Sequence, residues 1–313
     1  MRFHARAPGK VILLGEHFVV HGNPALSAAL DRGVEAVAEE SNEDIVISRA
    51  LGAECPIARP TPSLTPLCLS LRQLLGDRSW NGVKVILETA IPVSAGLGSS
   101  AASAVAALVA VAARFGGHLN GDELYEYAMV SERAVHGNPS GVDVYVAING
   151  GLVYFKGKKR RQVVPYKRFP IMVSCTGIER NTGELIARVA EFRRKAPDLF
   201  RTWATSSERL VEDCVKALEE GRMDVVAESM NFHQQALKAM GVSTPELDAL
   251  VREARGAGFA GAKLTGAGGG GCIIGLHTGA DYQAALDAFR AKRPNSFLSY
   301  VPSEGVSSWS TQS

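Results

Sequence analysis

No uninterrupted apolar run in the sequence approaches bilayer-spanning length, and the N-terminus has no long apolar segment leading to a small-residue cleavage site. A membrane-spanning or secreted protein is therefore not expected; a cytoplasmic location is. Neither sign of charge predominates, with 34 Lys and Arg against 32 Asp and Glu and a formal net charge of +2. The basic residues are scattered apart from Lys156-Gly157-Lys158-Lys159-Arg160-Arg161, so neither nucleic acid nor a membrane surface is implied as a partner. That run reads as a solvated connection between elements. Cysteine is sparse: Cys55, Cys68, Cys175, Cys214 and Cys272 are odd in number, widely spaced and free of any C-x-x-C pair. This argues against a zinc site or a disulfide framework, and the five read as small buried side chains. Internal repeats and low-complexity tracts are also lacking.

What is present is enough apolar material, 46% of 313 residues, for one large or two ordinary domains. The most informative stretch runs from Ile91 to Ala102, between a strand-like Val83–Leu87 and an Ala-rich helical run that continues to about Arg114. It reads as strand, glycine loop and helix start. Glycines let the backbone approach an anion, and the free N–H groups and dipole of a helix's first turn favour negative charge there. No Gly-Lys-Ser/Thr follows, so the loop is not a Walker A loop. Gly96-Leu97-Gly98-Ser99-Ser100-Ala101 fits a dinucleotide pattern, but the region about 20 residues on is a turn, not a strand ending in an acidic residue. The alternative without function is a plain strand-to-helix turn whose serines cap the helix.

Along the chain, Phe3–Ala7 and Lys10–Leu14 read as strands flanking a Pro8-Gly9 turn, and Phe18–Val20 as the start of another. Lys10, Glu16 and His17 follow or close such segments, so their heads can converge on one cleft; singly, each also reads as an ordinary surface residue. Further strands are expected at Gly33–Glu39 and Asp44–Ser48, and helices at Leu67–Leu75, Ser99–Arg114 and Asp122–Val135. The turn His136-Gly137-Asn138-Pro139-Ser140-Gly141-Val142-Asp143 follows, with Gly137 suited to a helix end and Pro139 preventing continuation. Glu132 and Asp143 flank it, so two carboxylates from different elements can face one site. Capping by Asp143 or Ser140, with Glu132 solvated, is the alternative. Glu132 near a helix C-terminus is electrostatically disfavoured, however, and a bound metal ion would supply a reason for it.

A domain boundary fits near Pro165, giving units 1–165 and 166–313. The second opens on a strand at Ile171–Cys175 and is almost wholly helical from Thr182 to about Ala254, with Thr244 and Pro245 forming a good helix start. Lys263-Leu264-Thr265 runs into a second glycine loop, Gly266 to Gly271, and Cys272–Leu276 leaves it as a strand. Four consecutive glycines are costly in chain entropy and usually serve close approach to the backbone. A helix from Ala280 to Ala291 and a strand at Phe297–Val301 complete an α+β unit.

Three ordered motifs carry a resemblance to the GHMP kinases: Pro8-Gly9-Lys10-Val11-Ile12-Leu13-Leu14-Gly15-Glu16-His17, the loop Pro92-Val93-Ser94-Ala95-Gly96-Leu97-Gly98-Ser99-Ser100-Ala101-Ala102, and Lys263–Cys272. Gly15-Glu16-His17, Glu132 to Asp143 and Gly241 to Asp248 resemble the mevalonate kinase branch in particular. The resemblance implies an α+β, two-domain GHMP kinase fold. Its N-terminal mixed-sheet ATP-binding domain is ribosomal protein S5 domain 2-like, and its C-terminal domain is a ferredoxin-like α/β-sandwich. It implies an ATP- and Mg²⁺-dependent kinase acting on mevalonate, with Asp143 and Lys10 catalytic, and Ser100 and Glu132 holding the metal. Pro92, Ser94, Ala95, Gly96, Leu97, Gly98, Ser99, Ser100 and Ala101 match the nucleotide loop; Glu16, His17, Ser140, Thr182 and Ala267 match the acceptor pocket. One departure is Ser94, where many relatives have glycine. The alternative activity is a GHMP kinase for another small alcohol: phosphomevalonate, a sugar or homoserine. A non-catalytic binding protein on the same scaffold would be expected to lose Asp143, Lys10 or Glu132, and all three are present. A homodimer is an assembly the sequence leaves open.

Overall fold

The computed structural model describes residues 1–76, 82–137, 139–178 and 182–312, and of Thr182 the backbone alone. Strands β1 (Arg2–Leu14) and β2 (Ala25–Glu40) form a long antiparallel pair, the frame on which the first half of the chain is built. Pro8-Gly9 does not break β1 into two strands as expected. A shift of register between Pro8 and Lys10 absorbs the proline instead, which is where a strand tolerates a residue without an N–H. Phe18–Val20 is not a strand start; Val19–His21 forms a short 3-10 turn. The strands β3 (Ile45–Ser48), β4 (Ala53–Pro56) and β5 (Val83–Thr89) extend the sheet in the order β1-β2-β5-β3-β4, with β3 parallel to β5.

The helices α1 (Thr65–Leu75), α2 (Ser99–Arg114), α3 (Gly121–His136) and α4 (Val142–Asn149) accompany this sheet. Alanines and valines bury α2 almost all round, and the small side chains let it lie close against β1 and β2. Asn120 caps α3 in a full capping box with Glu123. The basic run Lys156–Arg161 connects two elements and is exposed at Gly157, Lys158, Lys159 and Arg161, as a solvated connection should be. It closes the hairpin of β6 (Leu152–Lys156) and β7 (Lys159–Val163), where Arg160 stacks over Tyr125 and Tyr145 and donates to the Tyr125 hydroxyl at 2.8 Å.

Among the described residues the second sheet holds four strands: β8 (Phe169–Cys175), β9 (Gly261–Thr265), β10 (Cys272–Leu276) and β11 (Phe297–Val301), in the order β11-β8-β10-β9 and antiparallel throughout. That is the ferredoxin-like order, with α5 (Thr182–Lys195), α6 (Pro197–Glu220), α7 (Met223–Ala239) and α8 (Pro245–Gly256) between β8 and β9, and α9 (Tyr282–Arg290) before β11. Thr244 caps α8 as its sequence predicts. A last strand, β12 (Ser307–Thr311), crosses back to pair with β1. Cys175 and Cys272 are not free side chains. They face each other in the β8–β10 register and form a disulfide, 97 residues apart in sequence, while Cys55, Cys68 and Cys214 are free and buried.

His233 on α7 is wholly buried between the Ser229 carbonyl, 2.8 Å from Nδ1, and the Ser207 hydroxyl, 2.9 Å from Nε2. A carbonyl only accepts, so Nδ1 carries the proton and Nε2 accepts from Ser207. Burial lowers its pKa from 6.5 to about 3. Because the folded value is depressed, the neutral ring's stabilising contribution is complete above pH 6.5 and is lost as pH falls toward 3. The ring's NMR shifts should stay constant from neutral pH down to about 5; a titration centred on the ordinary histidine value would contradict this burial.

Candidate active site

The glycine loop from residue 92 to 98 leaves β5 and delivers the chain into α2. Gly96 and Gly98 take φ of 87° and 72°, and Gly98 is the left-handed residue at which α2 begins. Ser94 also sits in the left-handed region at φ 58°, a backbone conformation that glycine would adopt without strain. Glycines also bring β1 against this loop. The Lys10 N–H donates to the Leu97 carbonyl at 2.8 Å, and a Cβ on Gly9 would stand 2.9 Å from that same oxygen. The backbone contact sets Lys10 beside the start of α2, and its Nζ lies 3.1 Å from Asp143 Oδ1.

Asp143 lies in the first turn of α4, after Gly141 at φ 72°. Glu132 comes from the last turn of α3 and is buried, with Oε1 lacking a hydrogen-bond partner. Burial and then the neighbouring Asp143 push the Glu132 carboxyl up to about 7, against a hydrogen bond from Ser100 and the charge of Lys10. His136 Nε2 lies 3.8 Å from its other oxygen. One hydroxyl, one buried carboxylate with an open oxygen and a second carboxylate nearby make a hard-oxygen donor set. Magnesium suits such a set, since it takes one or two carboxylates and fills its remaining positions from phosphates and water.

The acceptor candidates converge from both sheets. Gly15 at φ 96° and His17 at φ 61° turn the end of β1 towards the second glycine loop, and His17 Nε2 donates to the Ala267 carbonyl at 2.8 Å. Glu16 is buried beside Lys263 of β9. Ser140 is exposed, and its hydroxyl accepts from the Val142 N–H at 3.4 Å, a local turn contact rather than one aimed at the cleft. The Thr182 side chain, Asn138 and Glu179–Asn181 lie outside the described residues.

A cavity of about 730 Å³ opens in front of the loop, lined by Ser94, Gly96, Gly98, Ser99, Ser100, Glu132 and Asp143. Of the other loop candidates, Ala95, Leu97 and Ala101 turn into the core and Pro92 is exposed. Sequence reasoning missed other parts of the wall, among them Ser48 at the end of β3, Ala50 and Leu51 after it, Leu64 and Leu67 at the start of α1, and Leu87 of β5. These are single residues from separate elements with no shared motif. The one available signal was that strands and a helix around a phosphate loop must leave an apolar end for a nucleobase.

Fold and cleft together define an ATP-dependent small-molecule kinase. Residues 66–151 match the GHMP kinases N terminal domain and residues 214–295 the GHMP kinases C terminal domain. The mevalonate kinase of Aeropyrum pernix is 34% identical over 314 residues, covering 96% of this chain and 97% of its own. That of Thermococcus onnurineus is 36% identical over 299, covering 88% and 89%. The structure of L. major mevalonate kinase in complex with R-mevalonate superposes with a TM-score of 0.82 at 27% identity, covering 96% of this chain and 95% of that one. The chain belongs to the mevalonate kinase family of the GHMP kinases.

Proposed function

We propose that the chain transfers the γ-phosphoryl group of ATP to the primary (5-)hydroxyl of mevalonate, giving 5-phosphomevalonate. The observation that carries the reading is the Lys10–Asp143 pair at 3.1 Å, set beside the N-terminus of α2 and the buried Glu132. The likeness to mevalonate kinases over nearly the whole chain supports mevalonate as the acceptor. Phosphoryl transfer needs alignment of the attacking oxygen and neutralisation of charge on the transferring group. Asp143 accepts the proton of the attacking hydroxyl, and Lys10 stabilises the charge that builds beside it. The glycine loop and the free N–H groups at the start of α2 hold the triphosphate. Ser100 and Glu132 would hold Mg²⁺, which when bound neutralises phosphate charge. Glu16, His17 and Ala267 are assigned to the acceptor pocket, where the resemblance also puts Ser140 and Thr182.

The reaction is placed in the cytoplasm, where both substrates are soluble, and no helix among the described residues is long and apolar enough to cross a membrane. Assembly as a homodimer belongs to the same reading, and light scattering would return the mass of two chains. Proton-coupled phosphorus NMR of the product tests the chemistry. A phosphomonoester coupled to a methylene group is expected; an ester lacking that coupling would place the phosphate on the tertiary hydroxyl and contradict the pocket. Ser100→Ala is expected to raise the KM for Mg-ATP about tenfold, the worth of one polar contact to a charged group, with little change in the KM for mevalonate. An unaltered magnesium requirement would remove Ser100 from the metal site.

A further inference from the structure

The basic run at 156–161 divides its arginines between two faces. Neighbouring strand residues point to opposite sides, so Arg161 turns to α6, where it stands 3.7 Å from Glu219, while Arg160 turns to α3 and α4. There the Arg160 guanidinium carbon lies 4.8 Å from the ring centroids of both Tyr125 on α3 and Tyr145 on α4, and Nη2 donates to the Tyr125 hydroxyl at 2.8 Å. Phe155, its partner in the β6–β7 register, meets the Tyr145 ring edge-on at 5.8 Å. One side chain thus joins the hairpin to both helices.

Those two helices carry the carboxylates of the cleft. Tyr125 precedes Glu132 on α3 by about two turns, along one face, and Tyr145 closely follows Asp143 on α4. The hydroxyl that Arg160 holds is also the seat of Gly141, the left-handed residue at which α4 begins. A Cβ there would overlap the Tyr125 hydroxyl oxygen and stand 3.4 Å from Met129 Sδ, so the turn before Asp143 lies directly on this part of α3. The packing of Val142 and Val146 against Val153 and Phe155 holds α4 down but is non-directional, whereas a hydrogen bond and two contacts between a cation and a ring fix orientation.

We propose that Arg160 is a positioning residue for Asp143. Through the Tyr125 hydroxyl and the Tyr145 ring it sets the first turn of α4 against α3, and so holds the Asp143 carboxylate at the angle from which it takes the proton of the attacking hydroxyl. The assignment rests on the reading of Asp143 as base and deepens it, adding a residue that acts on the reaction only through that carboxylate. A displacement of about 1 Å at a reacting group costs about a hundredfold in rate, so contacts that are weak in themselves carry kinetic weight at this helix start. A plain anchor for the hairpin would instead lower stability and leave the rate of transfer unchanged.

Rapid-quench kinetics of the first turnover of the full chain, at saturating ATP, Mg²⁺ and mevalonate, measure this role. Arg160→Met keeps an apolar stem of similar length and is expected to slow transfer about tenfold, while the KM values for ATP and for mevalonate stay within about twofold. Combination with Asp143→Asn separates positioning from structure. In that background there is no base to position, so Arg160→Met is expected to cost no more than about twofold further. A further loss of about tenfold there, an unchanged rate in Arg160→Met alone, or equal losses in transfer and in both KM values would overturn the proposal. Should Arg160→Met fail to fold, Tyr125→Phe removes a single oxygen and carries the test. A fall of about threefold is expected, again absent beside Asp143→Asn, and an unchanged rate would overturn the proposal. Wild-type transfer that Asp143→Asn leaves intact would overturn the reading of Asp143 as base. Transfer that falls with Asp143→Asn but not with Arg160→Met would overturn the Arg160 assignment alone.

Discussion

Asp143→Asn is expected to lower kcat by about a thousandfold, within the range contributed by a positioned general base, while ATP binds with nearly unchanged affinity. The amide keeps the shape of the carboxylate, so the first turn of α4 and the cavity wall remain. What it loses is the capacity to take a proton from the attacking hydroxyl, together with the ion pair to Lys10 at 3.1 Å. Parallel measurement of ADP release and of ATP binding by calorimetry separates the two functions. Near-normal turnover would remove Asp143 from the role of base, and loss of ATP binding would show that it serves the nucleotide instead.

Glu132→Gln is expected to have two opposite effects. Use of Mg-ATP should fall about a hundredfold, because the buried carboxylate is the strongest hard-oxygen donor available to the metal. The free protein should become more stable. Burial and the neighbouring Asp143 raise the Glu132 carboxyl from 4.5 to about 7, so the folded chain binds a proton that the unfolded chain releases, and stability declines as pH rises through that interval. Above pH 7 the charge costs on the order of 3 kcal/mol, which the amide avoids. Denaturant unfolding at pH 8 without nucleotide or metal, set beside the kinetics, checks both halves. A variant that is both less active and less stable would mean that Glu132 serves the fold rather than the site.

Parts of this account were legible in the sequence because they lie in contiguous motifs. The loop at 92–98, the Gly15-Glu16-His17 end of β1 and the turn before Asp143 each combine backbone demands with the chemistry they position, so each betrays its neighbours. The main helices and most strands of the second sheet followed from periodicity for the same local reason, while the ferredoxin-like arrangement of those strands came only with the resemblance. Other features depend on partners distant in sequence. Pro8-Gly9 looks like a turn until β2 supplies a partner whose register can slip past it. The strand β12 is exposed at every position, so it carries no alternation to find. The Cys175–Cys272 bond joins residues 97 apart, and the count of cysteines says nothing about which strands meet. The basic run at 156–161 reads as solvated, and most of it is exposed, but the tyrosines beneath Arg160 are not visible in sequence. Lys263 did leave a trace. It is a single cation inside β9, a strand buried at all five positions, and such a residue requires a partner; that the partner is Glu16, 247 residues earlier, only the fold could show.

The most direct test of the central claim is the relative kcat/KM of the purified protein, with ATP and Mg²⁺, for mevalonate, phosphomevalonate, galactose and homoserine. A pocket built on Glu16, His17 and Ala267 and belonging to a mevalonate kinase should favour mevalonate over each of the others by at least about a hundredfold. Preference for another acceptor would leave the fold, the Lys10–Asp143 pair and the phosphate loop standing, and would contradict the acceptor pocket assigned to this chain.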